Sequence, residues 1–413
     1  MVPLLVAFLL AVPVSAQTAG APAPALRDGD RVVFYGDSIT AQRLYTRFAE
    51  DLMVSRYSKE RISFFNAGVS GDSVEGGHEG DIETRLKRDV LPLRPSVVTI
   101  MLGMNDGRYT TEFDSNFNAY ASGYKKLIAL LRELVPGVRL VLIRPSPYEE
   151  FAHPPAIAGY NSVMLRYGQF LSELGEKEHN PVVDFNQPVT DAVLRGMQVN
   201  PAVAGSLLPD RIHPSPAGHW IMAAALAQAW NFSPTVSSAT IAADQARAIE
   251  QSNTTISELQ SANDKLSWTQ LDRALPIPLE MNDPITQFLL QASDLASLDR
   301  QILRVTGLIA PLHTLSIDGK KIGTFTREEL NLGVNLALYQ TPMEDQAKSI
   351  DWAADDRAKL SGTRFALLTS TESDTSRHEA IDSLDRLDRE MIDREYRNAQ
   401  PKPHTFELSI GAK

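Results

Sequence analysis

The sequence contains no cysteine in its 413 residues. Disulfide bonds, thiolate metal ligands, iron–sulfur clusters and cysteine nucleophiles are therefore excluded, and any catalytic nucleophile must be an oxygen or a nitrogen atom. The H-E-x-x-H zinc motif, the G-x-x-x-x-G-K-[ST] phosphate loop and the G-x-S-x-G elbow are also missing. From these absences we expect neither a metal ion nor a cofactor.

Positively charged residues are fewer than negatively charged ones: the sequence has 40 Lys and Arg and 51 Asp and Glu, which gives a net charge of −11. Phosphate backbones and anionic membrane surfaces repel a chain of this charge, so nucleic acid is not an expected partner. The composition is 43% hydrophobic and 22% charged, which is typical of a globular protein with a large core. The length predicts two or three domains, and we take two as the starting hypothesis.

The first residues look like a targeting segment. Residues 1–16 are almost entirely apolar and end in Val14-Ser15-Ala16, the small-x-small pattern of a signal-peptidase site, although no Lys or Arg precedes the apolar run. The stretch is too short to span a bilayer. We interpret it as a signal peptide, followed by a linker at 17–29 that is rich in Ala, Pro and Gly. This predicts export to the periplasm or the extracellular space, without stable membrane insertion after the signal is removed.

Between residues 30 and 231, short apolar runs alternate with amphipathic stretches, which is typical of a parallel sheet with crossover helices. The apolar runs are RVVFY (31–35), ISFFN (62–66), VVTIML (97–102), VRLVLI (138–143) and PVVDF (181–185). Helical periodicity appears at 41–56, 81–90, 114–135 and 156–176 and again after Pro216. The pattern predicts a three-layer, doubly wound, flavodoxin-like α/β domain with about five parallel strands.

Residues 232–413 form a second unit in this interpretation, a mostly helical C-terminal extension that contains one β-hairpin. The stretch 237–265 is polar, and its apolar residues are spaced as on one face of a helix. Asp318-Gly319 predicts the turn of a hairpin at 313–325, because a tight two-residue turn needs positive φ. A charged amphipathic helix is expected near 376–398, with four apolar residues facing inward: Ile381, Leu384, Leu387 and Met391.

The tripeptide Gly36-Asp37-Ser38 lies directly after the first predicted strand and directly before a helix. A serine at this point projects its hydroxyl from the carboxyl edge of the sheet, and its backbone N–H lies at a helix N-terminus, where negative charge is favoured. Taken alone, the tripeptide is more often an ordinary N-cap than a nucleophile site. The same tripeptide ends at Ser73, but that copy lies several residues beyond its strand, so we expect a loop role there.

Two further clusters follow the second and third predicted strands. Gly68 and Gly71 follow the second strand, and Gly103, Asn105 and Asp106 follow the third. The carboxyl ends of parallel strands share one edge of the sheet, so these residues can converge with the serine. A glycine N–H can approach an oxyanion closely, and an asparagine amide can add a donor, although an isolated Asn-Asp is more often a turn.

Asp210-Arg211-Ile212-His213 lies in a loop just ahead of the last helix of this domain. A nucleophilic serine needs a base that titrates near neutral pH, and histidine meets this requirement. Asp210 can reach the Nδ1–H of the imidazole and orient it. Among eight histidines, His213 alone combines a close upstream aspartate with such a loop, whereas His219 on the following helix is more typical of a packing residue.

Together these four clusters resemble the SGNH hydrolase, or GDSL-like esterase, family over residues 30–231. The motifs stand as FYGDSIT, NAGVSGDS, LGMND and DRIH, in the order of the family. The resemblance implies that Ser38 is the nucleophile, His213 the base and Asp210 its orienting carboxylate. It also implies an oxyanion hole made by the N–H groups of Ser38 and Gly71 and by the amide of Asn105. The extension at 232–413 lies outside the common core of the family, and its role is open.

The resulting hypothesis is a serine esterase that works through an acyl-enzyme and removes O-acetyl groups from a carbohydrate. Its expected partner is a small-molecule or polysaccharide ester. A lipase, lysophospholipase or small-ester acylhydrolase is the alternative, and a catalytically inactive glycan-binding protein on the same fold is the alternative from another class. Three tryptophans are candidates for stacking on sugars: Trp230, Trp268 and Trp352.

Overall fold

The computed structural model describes residues 25–112, 114–154, 156–262, 265–370 and 375–411. The predicted signal peptide and most of the predicted linker lie outside these ranges, so both stay predictions. Within the described ranges, no helix is both long enough and apolar enough to cross a membrane.

Five parallel strands form the first sheet, in the order β2-β1-β3-β4-β5. Their bounds are Arg31–Gly36 (β1), Ser63–Gly68 (β2), Val97–Met101 (β3), Arg139–Arg144 (β4) and Val182–Asp184 (β5). This is the flavodoxin-like order of a doubly wound sheet. β3 is buried along its whole length because helices cover both faces, which is why its sequence is an uninterrupted apolar run. The predicted α/β fold class is confirmed.

Among the described residues between β1 and residue 231 there are eight α-helices. Their bounds are Ser38–Ala41 (α1), Leu44–Arg56 (α2), Ile82–Arg85 (α3), Asp114–Leu134 (α4), Tyr160–Glu178 (α5), Asn186–Val199 (α6), Pro201–Ala204 (α7) and Pro216–Ala229 (α8). The rings of Phe48 on α2 and Trp220 on α8 stack at 4.1 Å, and those of Tyr120 on α4 and Tyr167 on α5 stack at 4.0 Å. The crossover from β1 to β2 and the crossover from β3 to β4 run in opposite directions along the sheet. Because both crossovers are right-handed, the two helix pairs lie on opposite faces of the sheet.

Shorter elements connect these units. α3 continues as a π-helical turn, Leu86–Val90, and a 3₁₀ turn, Leu91–Leu93, and a two-residue ladder joins Gly76–Gly77 to Gly80–Asp81. The 3₁₀ turn Gly205–Leu207 follows α7.

Two further sheets follow residue 232. One is a five-stranded antiparallel sheet in the order β8-β9-β14-β11-β12, and the other is a four-stranded sheet in the order β13-β10-β6-β7. Their strands are Thr235–Ala242 (β6), Arg247–Ser252 (β7), Thr254–Ala262 (β8), Lys265–Asp272 (β9), Arg300–Thr306 (β10), Leu312–Ile317 (β11), Lys320–Thr326 (β12), Val334–Asn335 (β13) and His404–Ile410 (β14). The helices of this region are Pro284–Ala292 (α9), Arg327–Leu332 (α10), Pro342–Thr369 (α11) and Thr375–Asn398 (α12). The 3₁₀ turns are Ala243–Gln245, Leu295–Leu298 and Leu336–Leu338.

The helix predicted at 237–265 is wrong, because this stretch forms β6, β7 and β8. β6 carries the β-branched Thr240 and Ile241 and is mostly buried, whereas β7 and β8 are largely exposed. Polar strands with few apolar residues do not show a clear two-residue period, so their scattered apolar positions also matched one face of a helix. Asn253, at a φ of 55°, is the single residue between β7 and β8, which belong to different sheets.

The predicted hairpin is present as β11 and β12. Asp318 and Gly319 have φ values of 50° and 78°, as a two-residue turn with positive φ requires. The predicted charged helix is α12, but Leu387 on it is exposed. Its buried positions are Ile392, Glu395 and Tyr396.

One arginine ties the pair of helices α11 and α12 to the α/β domain. Arg357 on α11 forms ion pairs with Glu50 on α2 and with Asp388 and Glu395 on α12, and it donates to the carbonyl of Phe64 at 3.1 Å. The side chains of Arg357, Glu50 and Glu395 are nearly or fully buried. Carboxylates in such a place are stable only while their cation is present.

We therefore expect Arg357→Met to lower the free energy of unfolding by about 3 kcal/mol, since it leaves buried carboxylates without a cation. Lys359→Met is the control, because Lys359 lies on the same helix and pairs with Asp355 but is exposed. Urea unfolding of the full chain measures both variants. Equal losses in the two would show that Arg357 has no special part in holding the helices.

Candidate active site

The loops after β1 and β3 meet at one edge of the first sheet. The connection after β1 leaves toward β2 and the connection after β3 leaves toward β4, so a crevice opens between these two strands. Ser38 follows β1 and Asn105 follows β3. At the end of β2, a Cβ on Gly68 would lie 2.4 Å from the backbone nitrogen of Ala41, so only glycine lets β2 pack directly against α1.

A continuous chain of hydrogen bonds joins Ser38, His213 and Asp210. The Nε2 atom of His213 lies 2.8 Å from Ser38 Oγ, and its Nδ1 atom lies 2.7 Å from Asp210 Oδ2. Ser38 is the first residue of α1, and the side chain of Asp37 caps that helix by accepting the Ile39 N–H. A hydroxyl, an imidazole and a carboxylate in this arrangement can transfer a proton from oxygen to nitrogen and stabilise the cation that results.

The Asp210 carboxylate is exposed over 56% of its side chain, so hydrogen bonds rather than burial determine its charge state. Partial burial raises its pKa, but the N–H groups of His213 and Ile212 and the imidazole of His213 outweigh this effect, and the pKa of Asp210 lies below its usual value. Its Oδ1 atom accepts the two backbone N–H groups at 2.7 and 3.0 Å. Asp210 therefore stays ionised, and it shapes the loop that carries the histidine.

A second loop, which follows β4, supports this one. The N–H of Glu149 donates to the carbonyl of Arg211 at 2.9 Å, and Arg211 has a left-handed backbone, with φ of 73°. The buried carboxylate of Glu149 accepts the N–H groups of Phe151 and Ala152 and contacts His153. Glu149 thus links the loop after β4 to the loop of His213.

The third predicted cluster, after β3, meets the second, after β2, through a side chain and a carbonyl. Asn105 Nδ2 donates to the carbonyl of Asp72 at 2.9 Å, which brings Asn105 beside the turn at Gly71. Gly71 has φ of 76°, a conformation that favours glycine. One amide hydrogen of Asn105 remains for another acceptor, because the side chain carries two.

The second Gly-Asp-Ser tripeptide is part of a turn. Ser73 Oγ donates to the carbonyl of Gly76 at 2.7 Å, and the backbones of the same two residues pair with each other. The hydroxyl of Ser73 is thus engaged within its own loop, as expected for a loop role.

Three carboxyl groups lie at this edge: Asp37 and Asp72 are buried, and Asp106 is half-buried. Burial raises the pKa of Asp37 and of Asp106 to about 7, and the charges of the neighbouring carboxylates act in the same direction. Burial also raises the pKa of Asp72, although its ion pair with Arg85 opposes this. Asp106 Oδ1 accepts the Val74 N–H at 3.0 Å, and Asp106 Oδ2 has no hydrogen-bond partner among the described residues.

A carboxyl with a raised pKa in the folded state stabilises the fold most below the pKa of the unfolded chain, about 4, and loses that contribution as the pH rises through 7. We therefore expect the unfolding free energy of Asp106→Asn, measured relative to that of the wild type, to be higher at pH 8 than at pH 5 by about 1–3 kcal/mol. Urea unfolding at both pH values measures the change. Asp382→Asn, on the exposed side of α12, is the control, and its difference in unfolding free energy from the wild type should be the same at pH 5 and at pH 8. If the difference for Asp106→Asn is also the same at the two pH values, the argument is refuted.

His219 is fully buried and does not face the serine. Burial lowers its pKa to about 3, and the charge of His213 adds to the effect, so its ring is neutral. Nδ1 accepts the Tyr45 N–H at 3.2 Å, so the proton lies on Nε2, which donates to Gln42 Oε1. His219 thus packs against the start of α2.

Tyr109 is a residue of this edge that sequence analysis missed. Its hydroxyl lies 3.2 Å from Asn105 Oδ1. The only sequence signal was its place, four residues beyond Asn105 in the same loop.

Within the described segments, no group of three His, Asp or Glu side chains is arranged to hold a metal ion.

The chain is similar to several known proteins. Residues 34–221 match the GDSL-like Lipase/Acylhydrolase family. An acetylxylan esterase from Geobacillus stearothermophilus is 29% identical over 216 residues, which cover 48% of this chain and 92% of that protein. A solved structure of a gut microbial diltiazem-metabolizing enzyme is similar in fold, with a TM-score of 0.80 at 23% identity, and covers 94% of this chain and 99% of its own.

The family match falls on the α/β domain, and the acetylxylan esterase relative covers about half of the chain, whereas the diltiazem-metabolizing enzyme has the fold of nearly the whole chain. The α/β domain therefore belongs to the GDSL-like lipase/acylhydrolase family, also called the SGNH hydrolases, and the protein is a serine hydrolase that acts on ester bonds.

Proposed function

We propose that Ser38 is the nucleophile of this esterase, that His213 is its general base and that Asp210 orients the imidazole. The observation that carries the proposal is the chain of hydrogen bonds of 2.8 and 2.7 Å through the three side chains. The oxyanion hole consists of the N–H groups of Ser38 and Gly71 and the free amide hydrogen of Asn105.

The reaction follows from these positions. His213 Nε2 takes the proton of Ser38 Oγ as that oxygen attacks the ester carbonyl, and the negative charge moves to the carbonyl oxygen in the oxyanion hole. Collapse of the tetrahedral intermediate breaks the ester bond, and the imidazolium gives its proton to the leaving alcohol. Water then attacks the acyl-Ser38 carbonyl by the same route, which releases the acid and restores the serine.

The amide variant Asp210→Asn tests the orienting role. Its Oδ1 atom can still accept the N–H groups of Ile212 and His213, so we expect the loop to keep its shape. Its NH₂ group would donate to His213 Nδ1, which leaves the ring proton on Nε2, where the ring can no longer accept the proton of Ser38.

We expect kcat on p-nitrophenyl acetate to fall about 10³- to 10⁴-fold in Asp210→Asn. Asp191→Asn, which alters a carboxylate on the surface of α6 that accepts from Gln187, should retain wild-type kcat. Wild-type turnover in the Asp210 variant would remove that residue from the mechanism.

For the substrate, we propose an O-acetyl ester of a carbohydrate. Support comes from the acetylxylan esterase relative, and the family match at 34–221 covers the loops of all three proposed catalytic residues. Of the three candidate tryptophans, Trp230 and Trp268 are core residues, and Trp352 on α11 is 64% exposed. We also propose that the protein is exported, as the apolar segment at 1–16 suggests, where it would meet extracellular polysaccharides.

The substrate proposal is tested by measuring acetate release from acetylated xylan and pectin with the purified chain. Fatty-acid release from phospholipid and retention on the polymer are measured in parallel. We expect acetate release in the wild type and in Ser73→Ala, and none above background in Ser38→Ala. Fatty-acid release without acetate release would favour a lipase, and retention on the polymer without hydrolysis would favour a binding protein.

A further inference from the structure

The loop after β3 places a phenol against the side chain that is proposed to bind the oxyanion. Tyr109 O–H donates a hydrogen bond to Asn105 Oδ1 at 3.2 Å. Tyr109 lies outside every motif discussed above, and the proposed reaction gives it no part. The residue is 36% exposed, so it lies at the surface of the crevice rather than in the core.

The amide of Asn105 has one carbonyl oxygen and two N–H donors. One N–H donates to the carbonyl of Asp72 at 2.9 Å, and the carbonyl oxygen accepts from Tyr109. These two bonds distinguish the two ends of the amide and leave one N–H free. With the amide rotated by half a turn, its oxygen would replace that N–H and would repel a developing oxyanion.

Tyr109 is itself held by Tyr160 in two ways. The two rings stack with centroids 5.3 Å apart and planes 26° apart. The backbone N–H of Tyr109 donates to the Tyr160 hydroxyl at 3.2 Å, and that hydroxyl donates to the carbonyl of Met104 at 2.5 Å. The phenol of Tyr109 is thus positioned by contacts on its ring and on its backbone.

The backbone of this loop is unusual at the same point. Arg108 and Tyr109 both have φ of 52°, the left-handed region that residues other than glycine seldom adopt. Two such residues in succession persist only where the surrounding contacts hold them. Their conformation belongs to the turn that brings the phenol back toward Asn105 at the start of the loop.

The phenol keeps its proton in this place. Burial raises the pKa of Tyr109, and the negative charges of Asp37 and Asp210 raise it further. Tyr109 therefore remains a hydrogen-bond donor at any pH at which the enzyme would be assayed.

We propose that Tyr109 is a positioning residue for the oxyanion hole, whose hydroxyl holds the Asn105 amide with its free N–H toward the reacting carbonyl oxygen. The inference rests on the oxyanion role that the proposed function gives to Asn105. The bond acts on Asn105 and leaves the binding of the ground-state ester unaffected, so its loss should lower kcat and leave KM in place.

The test is a double-mutant cycle on p-nitrophenyl acetate with the full chain. We expect Tyr109→Phe, which keeps the ring on Tyr160, to lower kcat roughly 3- to 10-fold, the usual effect of one hydrogen bond, with KM within about twofold of the wild type. Asn105→Ala should lower kcat by about 10²-fold or more. In the Asn105→Ala background, Tyr109→Phe should have no further effect on kcat.

Tyr57→Phe is the matched control, because this half-buried hydroxyl also bonds to backbone groups, at Asn231 and Ser233, but is remote from the crevice. Its kcat should equal that of the wild type. Thermal unfolding of Tyr109→Phe close to the wild-type temperature would show that the loop is intact. A lower unfolding temperature together with a kcat deficit that 4 °C assays abolish would mean a purely structural role and would overturn the proposal.

The remaining outcomes separate the two proposals. Wild-type kcat in Tyr109→Phe, with a large loss in Asn105→Ala, overturns the role of Tyr109 and leaves the oxyanion hole standing. Equal losses from Tyr109→Phe in both backgrounds also overturn it, because the phenol would then act without Asn105. Wild-type kcat in Asn105→Ala overturns the oxyanion role of Asn105 and the inference that depends on it.

Discussion

The hydrogen bond between His213 and Ser38 is the interaction on which the proposed chemistry depends, and the two residues are 175 positions apart. It forms because parallel strands deliver their following loops to one edge of the sheet. The strand order places β1 beside β3, and the loop of His213 reaches the same edge from the start of α8. The buried apolar strands are therefore as necessary to the site as the polar side chains, since a displaced strand would separate the hydroxyl from the imidazole.

Around that bond, each loop is held by its neighbours rather than by its own residues alone. The carbonyl of Asp72 orients Asn105, and the N–H of Glu149 holds the carbonyl of Arg211. Carboxyl groups below the loops accept backbone N–H groups, as Asp37 does from Ile39 and Asp106 from Val74. These bonds reduce the freedom of the donors before a substrate arrives, which is how a preorganised site lowers an activation barrier.

The sequence predicted the α/β domain well because its strands are buried on both faces and appear as continuous apolar runs, of which Val97–Met101 is the clearest. It predicted the C-terminal strands poorly because β7 and β8 are exposed and polar, which weakens the two-residue period. Motifs identified Ser38, Asn105, Asp210 and His213 as candidates, and the structure joins three of them by hydrogen bonds. The role of Tyr109 could not be predicted, because nothing in the sequence Arg108-Tyr109 indicates that both residues have a left-handed backbone conformation.

The position of β14 has a consequence for how the chain acquires its shape. This strand lies in the middle of its sheet, between β9 and β11, and pairs Ser409 with Lys265. Contacts between positions so distant along the chain form late, because a long loop must close before they contribute. During synthesis, β9 and β11 therefore expose unpaired edges until β14 has left the ribosome. The α/β domain can assemble first, whereas the C-terminal sheet must wait for its last strand.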